Sequence, residues 1–132
     1  MHKNIKDKII NDPIYGIISI KDSIVYEIIE HPYFQRLRRI SQLGLVNLVY
    51  PGANHTRFQH ALGTLHLMQK VITHLNTKGN FINKNEAIDL KLAILLHDIG
   101  HGPLSHLFDE FVISENIPER EHEYRSGLIL EQ

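Results

Sequence analysis

Apolar side chains recur at helical spacing along most of this sequence. The clearest run is Phe58, Leu62, Leu65, Met68 or Val71, Ile72 and Leu75, which puts one apolar face on a long helix. Thr56-Arg57-Phe58-Gln59 opens it with a capping box, the Thr hydroxyl taking an orphan N–H while the Gln reaches back. Asn83 and Glu86 signal a second start, and that helix passes through the apolar run Ala93 to Leu96, reads as buried, and stops near Gly100. Gly102-Pro103 should open a third, with Leu104, Leu107, Phe108 and Phe111 turned inward. After Pro118 a last helix carries His122 and Leu128-Ile129-Leu130 and ends without a stop signal. Upstream the pattern changes. Pro13 to Ile20 is rich in β-branched residues ahead of the turn-like Lys21-Asp22-Ser23, which predicts a short strand or hairpin. Asp22 or Ser23 can cap a helix through Glu30. Pro32 opens another whose stripe of Leu37, Ile40 and Leu43 ends at Gly44. Leu45 to Tyr50 reads as extended, and Pro51-Gly52 as a turn. The expected fold is all-α, a helical bundle with a short N-terminal β-strand or hairpin.

Composition narrows the picture without naming a function. The 132 residues show no repeat, low-complexity stretch or linker, so residues 1–132 are read as one domain. A hydrophobic content of 42%, 22% charged residues and a net charge of -1 give no reason to expect nucleic-acid or bilayer binding. No apolar run approaches the roughly 18 residues of a membrane span, Met1 to Lys8 has no signal-peptide core, and the expected location is cytoplasmic. Cysteine is absent, so any metal must sit on nitrogen and oxygen. Ten histidines in so short a chain then demand an explanation.

His97-Asp98 ends a helix whose preceding turn is apolar on every side, so both groups are expected to be partly buried and to need partners. A backbone-bonded His beside a turn-capping Asp would satisfy that. His101 lies one turn beyond His97, His106 on the next helix, and His60 in the first turn of the long helix. Imidazoles and a carboxylate converging in this way suit Mn, Fe, Zn, Co or Ni, and a mixed His/Asp shell with open positions suits hydrolysis.

The segment Leu95-Leu96-His97-Asp98-Ile99-Gly100-His101-Gly102-Pro103-Leu104-Ser105-His106 resembles the signature of the HD superfamily, in particular its deoxynucleoside triphosphate triphosphohydrolase branch. Asp12-Pro13-Ile14-Tyr15-Gly16, Phe34-Gln35-Arg36-Leu37-Arg38, Gln42-Leu43-Gly44, Tyr50-Pro51-Gly52-Ala53 and His55-Thr56-Arg57-Phe58-Gln59-His60 follow in that family's order. The resemblance runs from about Asp12 to Ser126 and implies an HD-domain helical bundle. Gln59 stands where relatives often carry Glu, and Ala61 where many carry Ser.

By this resemblance His60, His97 and Asp98 are ligands of one divalent metal ion, Mg being a further candidate. The family's fourth ligand, an Asp far downstream, has no counterpart here, so the chain is expected to be an N-terminal piece, with a catalytically incomplete fragment as one reading. Arg57 matches a residue that contacts substrate phosphate; without the resemblance it would read as a surface Arg. His101, His106 and His122 match histidines along the phosphate path, with His106 placed as proton donor to the leaving 5′ oxygen. His122 by its neighbours alone would be a solvated residue. Gln42 and Leu43 match residues that meet the sugar, and their other reading is a helix-end polar residue and a core Leu. Glu30, Gln35 and Arg38 match positions that read an activating nucleotide at a subunit interface in some relatives, or else form an ordinary helix surface. The implied reaction is hydrolysis of deoxynucleoside triphosphates to deoxynucleoside and triphosphate, by an enzyme that is a homo-oligomer at full length. The alternatives are an HD-type nucleotidase or phosphodiesterase on another nucleotide, or a nucleotide-binding module without catalysis.

Overall fold

The computed structural model describes residues 7–114 and 122–131, the side chains of 111–114 and 122 excepted. A two-stranded antiparallel hairpin comes first, β1 (Lys8–Asp12) and β2 (Gly16–Ile20), in register from Lys8 opposite Ile20 to Asp12 opposite Gly16. Asp12 Oδ1 closes its turn by accepting from the N–H groups of Ile14 and Tyr15, and Gly16 supplies the positive φ of 71°. Ile18 and Ile20 share one face of β2 and enter the core.

Helix α1 (Ser23–Glu30) adds Val25 and Ile29, one turn apart, to the same core. Asp22 stands at its N-cap position without capping through its side chain, which instead pairs with Lys91 at 2.7 Å. Pro32 opens α2 (Pro32–Gln35) at its first position as expected, and the residue before it, His31, is extended. That helix does not run on to Gly44. It tightens into a 3₁₀ turn over Arg36–Arg39 and ends at an extended Ile40, whose carbonyl accepts from Arg57 N–H at 2.8 Å while Ser41 bridges Thr56. Pairing with a distant segment takes the backbone groups a longer helix would need. Leu37 and Ile40 are buried, but Leu43 is 44% exposed. The expected extended run at Leu45–Tyr50 is a second 3₁₀ turn, Val46–Leu48, since it has no strand to pair with and closes its hydrogen bonds locally.

Helix α3 (Arg57–Thr77) begins with the complete Thr56–Gln59 capping box, and α4 (Lys84–Leu96) with that of Asn83 and Glu86. Phe58, Ala61, Leu62, Leu65 and Ile72 are the buried face of α3, against which α4 packs. The apolar run of α4 is less buried than expected: Leu95 enters the core, whereas Ala93 on another face is exposed. Helix α5 (His106–Ser114) starts later than Gly102-Pro103, because Leu104 and Ser105 both take positive φ, 62° and 51°. Leu104 and Leu107 are consequently exposed rather than inward, and Phe111 lies outside the described side chains. In α6 (His122–Leu130) Ile129 packs against the core while Leu128 and Leu130 face out. Among the described residues no helix is long and apolar enough to cross a membrane.

Candidate metal centre

Three elements bring the site together. The first turn of α3 presents Arg57 and, three residues on, His60; the C-terminus of α4 supplies His97 as its cap, and the turn that follows supplies Asp98 and His101. Asp98 is 5% exposed and His101 1%, whereas His97, expected to be partly buried, keeps an open side. The cap position explains this: it follows the last residue of α4, Leu96, and lies beyond the packed turn.

Asp98 Oδ2 lies 3.4 Å from Nε2 of both His60 and His97. Two donors bound to one ion at about 2.0–2.2 Å stand roughly 3–3.6 Å apart, so these three atoms fit a shared divalent ion. All three lie within 4.8 Å of one another. His97 Nδ1 contacts the Ile94 carbonyl at 2.6 Å, a bond in which that nitrogen donates and Nε2 keeps its lone pair for the centre. Burial pulls the His60 imidazole below its ordinary value, with Asp98 opposing, and so keeps it neutral at pH 7. Burial alone would raise the Asp98 carboxyl, but the His101 hydrogen bond and the Arg57 charge outweigh it and hold Asp98 well below the usual carboxylate range. The neutral His60 imidazole and the ionised Asp98 carboxylate are the forms a cation requires.

Arg57 is 4% exposed, not a surface residue. Its Nη1 donates to Asp98 Oδ2 at 2.6 Å and its Nε to Ser105 Oγ at 3.1 Å. On the other side of Asp98, His101 spans two carboxylates, Nε2 at 3.4 Å from Asp98 Oδ1 and Nδ1 at 3.4 Å from Asp109 Oδ2. His106 stands against both, its ring 5.0 Å edge-on from that of His101 and its Nδ1 3.7 Å from Asp109 Oδ2. Arg125 pairs with Asp109 Oδ1 at 2.5 Å and donates to the Gly100 carbonyl, and Ser126 accepts from Gly100 N–H, so α6 fastens the turn that carries the ligands. Two guanidinium groups of opposite origin thus flank one imidazole–carboxylate chain.

The remaining expected residues lie further out. Gln42 and His60 line one cleft of about 620 Å³ with Tyr15, His55 and Thr64. Leu43 is 44% exposed. Gln35 and Arg38 bond each other at 2.7 Å and Arg38 stacks on Phe58, 3.7 Å from its centroid, while Glu30 is exposed. The His122 side chain lies outside the described residues. Asp109, Ser105 and Arg125 were not anticipated. Asp109 had a signal, its i,i+3 spacing from His106; Ser105 and Arg125 are engaged through backbone geometry and tertiary contacts that spacing does not encode.

The chain is similar to known proteins over most of its length. The HD domain family matches residues 57–132. The deoxynucleoside triphosphate triphosphohydrolase SAMHD1 of Danio rerio is 42% identical over 113 residues, 84% of this chain and 18% of that protein. The same enzyme of Homo sapiens is 41% identical over 125 residues, 93% of this chain and 20% of that protein. An uncharacterized Bacillus subtilis protein, YwfO, is 34% identical over 95% of this chain and 28% of its own length. The crystal structure of a phosphohydrolase from Bacteroides thetaiotaomicron superposes with a TM-score of 0.87 at 50% identity, covering 96% of this chain and 30% of that one. The chain thus spans between about a fifth and a third of these relatives.

Proposed function

This chain belongs to the HD domain family, and on that premise we propose that it carries the metal-binding part of a phosphohydrolase acting on deoxynucleoside triphosphates. The observation that supports it most is the placing of His60 Nε2 and His97 Nε2 at the same 3.4 Å from one oxygen of Asp98. A divalent cation held there, Mn, Fe, Zn, Co, Ni or Mg, would supply Lewis acidity and water of lowered pKa. The protein's own groups do the rest. Arg57, held by Asp98 through Nη1, offers its remaining N–H donors to the phosphate that approaches the ligands, and His101, set between Asp98 and Asp109, keeps the ligand carboxylate in place behind it. Water attacks the α-phosphorus, the bond to the 5′ oxygen breaks, and His106 delivers a proton to that oxygen while Asp109 orients its ring. The products are deoxynucleoside and intact triphosphate. His122 is assigned to the same phosphate path, and Gln42 with Leu43 to the sugar.

The substrate class is supported by the triphosphohydrolases at about 40% identity over most of this chain. Its test is incubation of the protein with each of the four deoxynucleoside triphosphates and Mn, with product analysis. Triphosphate is the expected product; pyrophosphate or phosphate in its place would move the protein to another nucleotide hydrolase class. Assembly into a homo-oligomer is supported by the consecutive exposed apolar residues Leu43, Leu45, Val46, Leu48, Val49 and Tyr50. An activating nucleotide at Glu30, Gln35 and Arg38 has weaker support, since Gln35 already spends its amide on Arg38 and on the Ile29 carbonyl.

A further inference from the structure

Ser105 is 1% exposed and sits where three functional segments meet. Its hydroxyl donates to the Ser41 carbonyl at 2.7 Å and accepts from Arg57 Nε at 3.1 Å. Both roles of the one hydroxyl are therefore used, one proton given and one received. Ser41 precedes Gln42 and Leu43 and is bridged to Thr56 at the cap of α3, so the hydroxyl ties the 41–44 segment, the start of α3 and the turn between His101 and His106. A second contact joins the same two segments without side chains: a Cβ on Gly44 would stand 3.0 Å from the Leu104 carbonyl oxygen.

The backbone here is held in an unfavoured form. Ser105 has φ 51° and Leu104 φ 62°, a region that side chains other than Gly, Asn and Asp rarely occupy. Such strain persists where the surroundings over-determine it, and the two hydrogen bonds of Oγ are those surroundings. The direction of the Arg57 guanidinium follows. Nη1 is fixed by Asp98 and Nε by Ser105, so the plane of the fork is set by two anchors. A guanidinium anchored only at Asp98 would be free to rotate about that bond and would present its donors to a phosphate in many orientations.

We propose that Ser105 is a positioning residue that orients Arg57 for phosphate and ties the sugar-side segment at Ser41 to the ligand turn. The phosphate role of Arg57 is that of the reading above; the hydroxyl's hold on the guanidinium is not, and it can be measured separately. Ser105→Gly removes the hydroxyl with its Cβ and suits the positive φ, and Ser105→Ala removes only the hydroxyl while keeping the strain. In both, NMR exchange of the Arg57 Nε–H with solvent should accelerate on the order of tenfold or more, as a buried, paired donor becomes unpaired. The KM for deoxynucleoside triphosphate should rise on the order of tenfold or more, with a smaller change in kcat, as expected when a phosphate donor is misplaced. In an Arg57→Ala background neither substitution should add to the KM. Unchanged Nε–H exchange in both variants, or an equal KM increase with and without Arg57, overturns the proposal. If Arg57→Ala itself leaves KM unchanged, the phosphate role falls, and the exchange measurement still decides whether Ser105 orients the side chain.

Discussion

Replacing Asp98 by Asn removes one charge and almost no volume, so its effect isolates the buried ion pair. Arg57 and Asp98 are 4% and 5% exposed and stand 2.6 Å apart, which leaves the guanidinium without a counter-charge once the carboxylate is gone. Breaking such a buried pair costs about 3–5 kcal/mol. The Asn oxygen can still accept one hydrogen bond from Arg57, worth about 1 kcal/mol, so the expected net loss is about 2–4 kcal/mol. For a chain of this size, that lowers Tm by roughly 6–16 °C. The assay is thermal unfolding of both proteins at pH 7 in a chelator, which removes any contribution from bound metal. The pH dependence has a definite sign. The folded Asp98 carboxyl lies below its unfolded value, so its stabilisation is complete above about pH 4 and is lost as pH falls towards the folded value. The gap between the two proteins should therefore persist at pH 5 and close only in stronger acid. A fall in Tm of under 2 °C at pH 7 would refute the reasoning, since it would give the pair no more weight than an exposed one.

Burial holds the folded His60 imidazole below its unfolded value, so the unfolded state binds more protons and stability drops as pH falls through about 6.5; His60→Gln should flatten that part of a Tm-against-pH curve. Gly63→Ala places a Cβ 2.9 Å from Tyr15 Cε2 and should cost about 1–3 kcal/mol in denaturant unfolding, recovered in part by adding Tyr15→Ala. His106→Ala, with its Asp109 partner left in place, should lower kcat by about 10²–10⁴-fold with little change in KM; a raised KM alone would make it a binding residue.

The sequence carried those parts of the fold that are decided locally. Both capping boxes, the Pro32 start and the apolar face of α3 are set by residues within one or two turns of each other, and each formed as the pattern implied. What the pattern missed was decided at a distance. The helix expected to reach Gly44 ends at Ile40 because Arg57 N–H takes its carbonyl, and α5 starts late because Ser105 is bonded to Arg57 and Ser41. The convergence of His60, His97 and Asp98 was legible because histidines rarely gather without a reason, and because the motif around them resembles a known signature. Arg125 was not legible, since its bond to Asp109 spans sixteen positions between two helices whose relative placement no spacing encodes.

The central claim is that one divalent ion is held by His60, His97 and Asp98, and the direct measurement is isothermal titration of the chelator-treated protein with Mn. One site per chain is expected, with heat of binding lost or affinity reduced on the order of 10–100-fold or more in His60→Ala, His97→Ala and Asp98→Ala, each checked for folding by circular dichroism. His74→Ala, an exposed histidine at the far end of α3, should bind as the unaltered protein does. Equal affinity in all four variants would contradict the account and leave the three residues as a hydrogen-bonded cluster with no ion to hold.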